Sequence, residues 1–280
     1  MAMGPGTTTT VTQGGGTMVM RTVSTRVGGP GLLPPLPTDP TLWAEMNVSV
    51  GTNDLSDLSL PLRNGLRVSG RVEFMGSAER PASDQMPAIA VTLEPADGRT
   101  TGATGTVRGR IEPGGTFTTM GVPAGKYVLR VTAPRGWSLR GASYGGQDII
   151  DSPVELRDSD AAGVVVTFVD RAADLSGAVT AANGSPDATA TVIAFPGDRS
   201  LWVGTGSSPR RLKNSRTGKD GAYSISGLPA GDYLIAAVPE AAAADWQNPD
   251  FLESLTRSAT RVHIDEGEKK SQNLTTARAR

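Results

Sequence analysis

The residues of this chain that could carry chemistry are few, and their spacing suits little of it. There is one histidine, His263, and no cysteine. A thiolate zinc site is therefore excluded, and a Ser-His-Asp relay would have to use His263 without any Gly-x-Ser-x-Gly turn to present the serine. His263 sits between Val262 and Ile264, so strand alternation points it outward. The acid pairs Asp148/Asp151 and Asp158/Asp160 offer carboxylate oxygens to a calcium ion, yet neither has EF-hand spacing, and aspartates at turns usually close on their own backbone. The glycine-rich stretch from Gly102 to Gly115 is not followed by Gly-Lys-Ser/Thr or by a helix, so it reads as an extended hairpin and not a phosphate cradle. Four aromatic residues remain, Trp137, Tyr144, Trp202 and Trp246. A flat apolar ring with a polar rim can stack on a sugar, and all four lie outside the main strand runs. The expectation is either loop-borne contact with a polysaccharide or a structural role at the sandwich ends or the interdomain seam.

Composition narrows the partners. The 280 residues carry 27 basic and 28 acidic side chains, a net charge of −1, which leaves no electrostatic footprint for nucleic acid or an anionic membrane surface. No apolar run approaches the roughly 20 residues of a membrane helix, and the first residues lack the charged start and apolar core of a secretory signal. The absence of cysteine leaves the compartment open. No cofactor is implied.

The elements that must position these residues come from a repeat. Gly115, Phe117, Gly121, Pro123, Gly125 and Tyr127 recur as Gly221, Tyr223, Gly227, Pro229, Gly231 and Tyr233, each at an offset of 106 residues. A constant offset of that size means a duplicated unit of about 100 residues, the usual size of an independent fold. Within it, a Gly-x-aromatic opens a strand and a Gly-x-Pro-x-Gly connection leads to the next. The tyrosine that follows has a ring to bury and a hydroxyl able to reach loop backbone.

Around this hairpin the chain alternates with a period of two. Leu66 to Phe74, Ala88 to Leu93, Tyr127 to Val131, Val154 to Leu156 and Val164 to Phe168 read as strands of the first copy. Leu175 to Val179, Thr189 to Phe195, Tyr233 to Val238, Val262 to Ile264 and Gln272 to Leu274 read as strands of the second. Asp245 to Ser258 is the one helical candidate, with Trp246, Phe251 and Leu255 near one face. Val48-Ser49-Val50 and Leu58-Ser59-Leu60 repeat the ten-residue step of Val154 and Val164. The expected organisation is a Gly/Thr/Pro-rich arm or linker at 1–41, with weak alternation over Met18 to Val27; a strand pair from a partial upstream repeat at 42–63; and two β-sandwiches at 64–171 and 172–280.

The string Asp220 to Tyr233, with the opening Leu175-Ser176-Gly177-Ala178-Val179, resembles the carboxypeptidase regulatory-like domains over residues 64–280. The resemblance implies an all-β chain of tandem Greek-key sandwiches, transthyretin-like (prealbumin-like) or carbohydrate-binding-like. It also implies a non-catalytic structural or interaction module of a bacterial envelope or secreted protein, with polysaccharide or envelope protein as partner. A role as the accessory domain of a peptidase is a lesser implication, since no peptidase residues accompany it.

Overall fold

The computed structural model describes residues 7–13, 16–22, 41–46, 48, 49, 51, 52, 56, 58–99 and 106–277. The chain divides into two compact units, Met1–Pro35 and Leu36–Arg280. In the first, β1 (Thr7–Gln13) and β2 (Gly16–Thr22) form an antiparallel hairpin in which Gln13 pairs with Gly16. The sequence suggested an arm or linker with weak alternation over Met18 to Val27; β2 takes in the start of that stretch, and residues 23–27 lie outside the described residues. The threonine run accounts for the difference, because β-branched side chains favour extended backbone.

In the second unit, β3 (Leu42–Trp43) pairs with β4 (Arg63–Asn64). The strand pair expected at 48–50 and 58–60 does not form as such: Val48, Ser49 and Leu58 to Leu60 lie outside any strand. They have no sheet partner among the described residues, and a lone extended segment is not stable without one.

The first sandwich is built from β5 (Val68–Met75), β6 (Val91–Pro95), β7 (Val107–Ile111), β8 (Thr116–Thr119), β9 (Gly125–Val131), β10 (Ser138–Tyr144), β11 (Gln147–Asp148), β12 (Val154–Leu156) and β13 (Ala161–Val169). They pair in the order β11-β10-β13-β5-β8-β7-β6-β9-β12, the β7–β8 hairpin carrying one sheet round into the other. The second comprises β14 (Ala173–Thr180), β15 (Ala190–Pro196), β16 (Lys213–Arg216), β17 (Ala222–Leu228), β18 (Gly231–Pro239), β19 (Thr260–Ile264), β20 (Lys269–Ser271) and β21 (Leu274–Thr275). Here β17-β14-β20, with β21 also on β14, faces β16-β15-β18-β19. The chain is thus all-β, and it crosses between the sheets at β14–β15, β16–β17, β17–β18 and β19–β20.

In each sandwich the first strand pairs in parallel with the last, β5 with β13 and β14 with β20 and β21. Glycine permits this pairing. A Cβ on Gly70 would lie 1.8 Å from the carbonyl oxygen of Val164, and one on Gly177 would lie 2.0 Å from that of Gln272. No side chain fits there.

The core of the first sandwich gathers Leu93, Phe117, Tyr127, Leu129, Val164 and Phe168. That of the second gathers Leu175, Tyr223, Ile225, Tyr233, Ile235 and Ile264. A further apolar cluster covers the outer face of β15 and β18, where Ile193, Phe195 and Leu234 meet Trp202, Leu252 and Leu255. All seven residues of β15 are consequently buried, which explains its nearly unbroken apolar run. The helical candidate is shorter than expected. α1 (Pro249–Leu255) starts where the Asn248 side chain caps the amide of Asp250, and it buries Leu252 and Leu255, with Phe251 and Trp246 half-buried beside them.

Candidate functional site

The repeated hairpin motif builds the joints of the fold. Gly115 and Gly221 adopt φ of +84° and +76°, left-handed backbone that glycine enters at no steric cost. Phe117 and Tyr223 are buried in their respective cores. The Tyr127 hydroxyl donates to the Pro123 carbonyl at 3.0 Å, and the Tyr233 hydroxyl donates to the Pro229 carbonyl at 2.7 Å. Each tyrosine thus ties the strand it begins to the loop just before it. Burial pushes the Tyr233 hydroxyl up to about 12, and the Tyr223 hydroxyl likewise, so neither ionises near neutral pH.

The aromatic residues are folded inward to different degrees. Trp137 is 7% exposed: its ring meets Phe74 edge-on at 4.8 Å, and its indole nitrogen donates to the Glu79 carbonyl. Trp202 is 6% exposed, edge-on to Phe195 at 5.6 Å, and donates to the Pro196 carbonyl at 2.8 Å. Neither ring presents a face to solvent, because each side chain is folded back over a sheet it helps to bury. Tyr144 is half-buried and lies on β10, a strand and not a loop; the Gly145-Gly146 turn between β10 and β11 was the sequence signal for that hairpin. Trp246 is half-buried against α1's cluster. These four residues do not converge on one surface platform.

Asp148, Asp160 and His263 each have a protein partner. Asp148 accepts the amide of Ile150, an Asx turn, and Asp160 accepts the amide of Arg67. His263 is exposed, with Nδ1 2.7 Å from an Asp232 oxygen and Nε2 3.3 Å from Asp265. The hydrogen bond to Asp232, helped by the charge of Asp265, raises its pKa from the ordinary histidine value. Among the described residues, no three His, Asp or Glu side chains are placed to share a metal ion.

The most densely bonded polar site lies instead between the sandwiches, and no motif announced it. Asp151, in the turn before β12, grips two arginines from the excursion between β15 and β16. Arg210 forks onto both carboxylate oxygens at 3.0 and 2.7 Å, and Arg211 adds a bond at 2.6 Å. The guanidiniums reach further: Arg210 donates to the Leu139 and Arg140 carbonyls on β10, and Arg211 donates to the Ala230 carbonyl and the Tyr233 hydroxyl. One corner tyrosine is therefore wired directly to the seam. Beside them Glu94 on β6 accepts the Ser207 amide at 2.6 Å and the Ser207 hydroxyl, and pairs with Arg130 at 3.3 Å. Arg130 in turn donates to the Thr205 carbonyl.

Burial opposes the charge on Asp151, but the hydrogen bonds and charges of Arg210 and Arg211 outweigh it and hold the carboxyl below its usual range. The same balance holds at Glu94, where burial is outweighed by bonds from Ser207 and then Arg130. Two grooves flank the cluster. One of about 440 Å³ is lined by Thr92, Glu94, Arg130, Ser207 and Arg210; the other, of about 650 Å³, is lined by Arg140, Asp148, Arg211, Pro229 and Glu266. Across the second, Arg140 and Glu266 form an exposed bridge at 3.0 Å.

No family model matches the sequence. No curated protein matches it either. Among solved structures, similarity is found to the Bacillus anthracis TIE protein, at 12% identity and a TM-score of 0.24, over 85% of this chain and 41% of that one. It is found also to GBS52, the minor pilin of Streptococcus agalactiae, at 12% identity and a TM-score of 0.31, over 77% of this chain and 98% of that one. A third is BcpA, the major pilin subunit of Bacillus cereus, at 11% identity and a TM-score of 0.26, over 75% and 69%. Likeness at this level says nothing of what this chain does. No helix among the described residues is long and apolar enough to cross a membrane.

Proposed function

We propose that this chain is a non-enzymatic structural module of a bacterial envelope or secreted protein, in which two sandwiches, residues 64–171 and 172–280, are clamped into one stiff unit. The observation that carries the reading is the seam: a carboxylate of the first sandwich only 12% exposed holds two guanidiniums of the second, 15% and 19% exposed, with Arg210 bonded further to backbone of the first sandwich and Arg211 to backbone and a hydroxyl of the second. Bidentate, desolvated pairs of this kind fix geometry more firmly than surface bridges do. A flexible linker would need none of it.

The resemblance of residues 64–280 to carboxypeptidase regulatory-like domains points the same way, toward tandem sandwiches that carry load or hold neighbours apart. The polysaccharide reading loses its main support with Trp137 and Trp202 folded into the protein, and no observation favours it over the structural one. Small-angle scattering provides the test. With residues 1–35 removed, the wild-type profile should fit a single arrangement of the two sandwiches at low and high salt, whereas R210A/R211A should require a spread of hinge angles. A wild-type profile that already needs such a spread overturns the proposal.

A further inference from the structure

The chain holds two Asn-Gly pairs, Asn64-Gly65 and Asn183-Gly184, and the fold treats them differently. Asparagine before glycine is the pair in which a main-chain nitrogen reaches the preceding side-chain amide with least obstruction, because glycine brings no Cβ and enters conformations other residues rarely adopt. Asn64 ends β4, where pairing with Leu42 keeps it extended and turns its side chain away from the amide that follows. That amide donates to the Thr41 carbonyl at 2.7 Å, and Gly65 is pressed so closely on Gly121 that a Cβ there would lie 2.7 Å from backbone carbon. Neither partner can shift easily.

Asn183 lies in the turn between β14 and β15, which the Gly184 amide closes on the Ala181 carbonyl at 2.9 Å, with Gly184 at a φ of +83°. Asn183 is exposed, and nothing lies within 4 Å of where a Cβ on Gly184 would stand. The Asn183 side-chain carbonyl is bent back across the Gly184 peptide: Oδ1 accepts the Ser185 amide at 3.0 Å and the Ser185 hydroxyl at 2.7 Å. Two donors on one amide oxygen draw electrons from Cγ, and they stand where negative charge gathers when a nucleophile adds to that carbon. Nδ2 has no partner among the described residues, so nothing tethers it as a leaving group.

We propose that Asn183 is a modification site at which the folded protein converts its own asparagine to aspartate and isoaspartate, with water as the only reactant. The Gly184 nitrogen, having lost its proton to hydroxide, attacks Cγ; the N–Cγ bond forms, Oδ1 takes the negative charge, and Nδ2 gains a proton from water and leaves as ammonia. The five-membered imide that results is opened by water. Attack at Cγ breaks the new bond and gives aspartate, and attack at the main-chain carbonyl breaks the old peptide bond and gives isoaspartate. The Gly184 bond to Ala181 must open first, but it closes a single exposed turn, whereas that of Gly65 is braced by the Gly121 contact. Isoaspartate adds a main-chain methylene to the loop that also carries Asp187, whose carboxylate holds Thr276 at 2.6 Å just past β21.

Peptide mapping by mass spectrometry, on protein held folded at mildly alkaline pH, tests the site. The Asn183 peptide should gain the mass of an amide-to-acid change and separate into aspartate and isoaspartate forms, while the Asn64 peptide stays unchanged over the same period. S185A, which removes one of the two donors, should slow the conversion roughly tenfold, about the worth of one hydrogen bond, and S185T, which keeps the hydroxyl, should restore it. In concentrated urea, where neither turn persists, both asparagines should react at similar rates, and S185A should no longer matter. Conversion of Asn183 in the folded protein that is no faster than that of Asn64, or that is equal in wild type and S185A, overturns the proposal.

Discussion

Replacing Asp151 by alanine should destabilise the protein more than any other single change at a charged residue. The carboxylate is held by three bonds from Arg210 and Arg211, and all three side chains are largely out of water. Removing one member of such a group leaves buried positive charge uncompensated, which costs about 3–5 kcal/mol. The lower end applies here, because Arg210 keeps its bond to Leu139 and Arg211 keeps its bond to Ala230. A loss of about 3 kcal/mol corresponds to a melting temperature lower by roughly 6–12 °C for a unit of this size. D151N, which keeps the shape but loses the charge, should fall between wild type and D151A.

The pH dependence follows from the direction of the shift. The Asp151 carboxyl is held below its ordinary value in the folded state, so its contribution is fully present above the unfolded value of about 4 and is lost as pH falls through the folded one. Calorimetry of the three proteins from neutral pH down to about pH 2.5 should therefore show the curves converging on the acid side. A D151A protein within about 1 °C of wild type at neutral pH, or a gap that widens on acidification, would refute the reasoning.

Other substitutions test the joints. G177A places a methyl 2.0 Å from the Gln272 carbonyl oxygen and should destabilise by about 3 kcal/mol or more, measured by urea unfolding; G218A, whose nearest neighbour is a side-chain oxygen at 3.0 Å, is the milder comparison. Y233F deletes the bond to Pro229 and the acceptor for Arg211, and should cost about 1–3 kcal/mol by the same assay. His263, the sole histidine, should give one imidazole titration by NMR with a midpoint above about 6.5, which D232N returns toward that value. Acrylamide should quench Trp137 and Trp202 poorly, and a panel of glycans should leave their emission unchanged.

Much of the strand pattern was legible because it rests on local rules. Alternating apolar positions located β5, β14 and β18, and β6 and β15 each end on a proline, Pro95 and Pro196, which cannot donate to a ladder. What escaped depends on tertiary partners. Tyr144 read as loop because the pairing of β10 with β13 is set by a strand more than twenty residues away. Trp202 left both a structural and a sugar-stacking reading open because its burial depends on Phe195 of β15 and on α1, brought together only by the fold. The seam was invisible for the same reason: Asp151 looks like a turn aspartate, and Arg210-Arg211 like a solvated pair, until the fold brings them within 3 Å. Gly70 and Gly177 look like punctuation within strands, and only the parallel partner shows why no other residue fits.

The clamp between the sandwiches is tested most directly by electron–electron distance measurement between spin labels on S159C in the first sandwich and S224C in the second, both exposed sites. The account predicts a single narrow distance distribution in the wild-type background, unchanged by salt, and a broad one when D151A is added. A distribution already broad with Asp151 in place would contradict it.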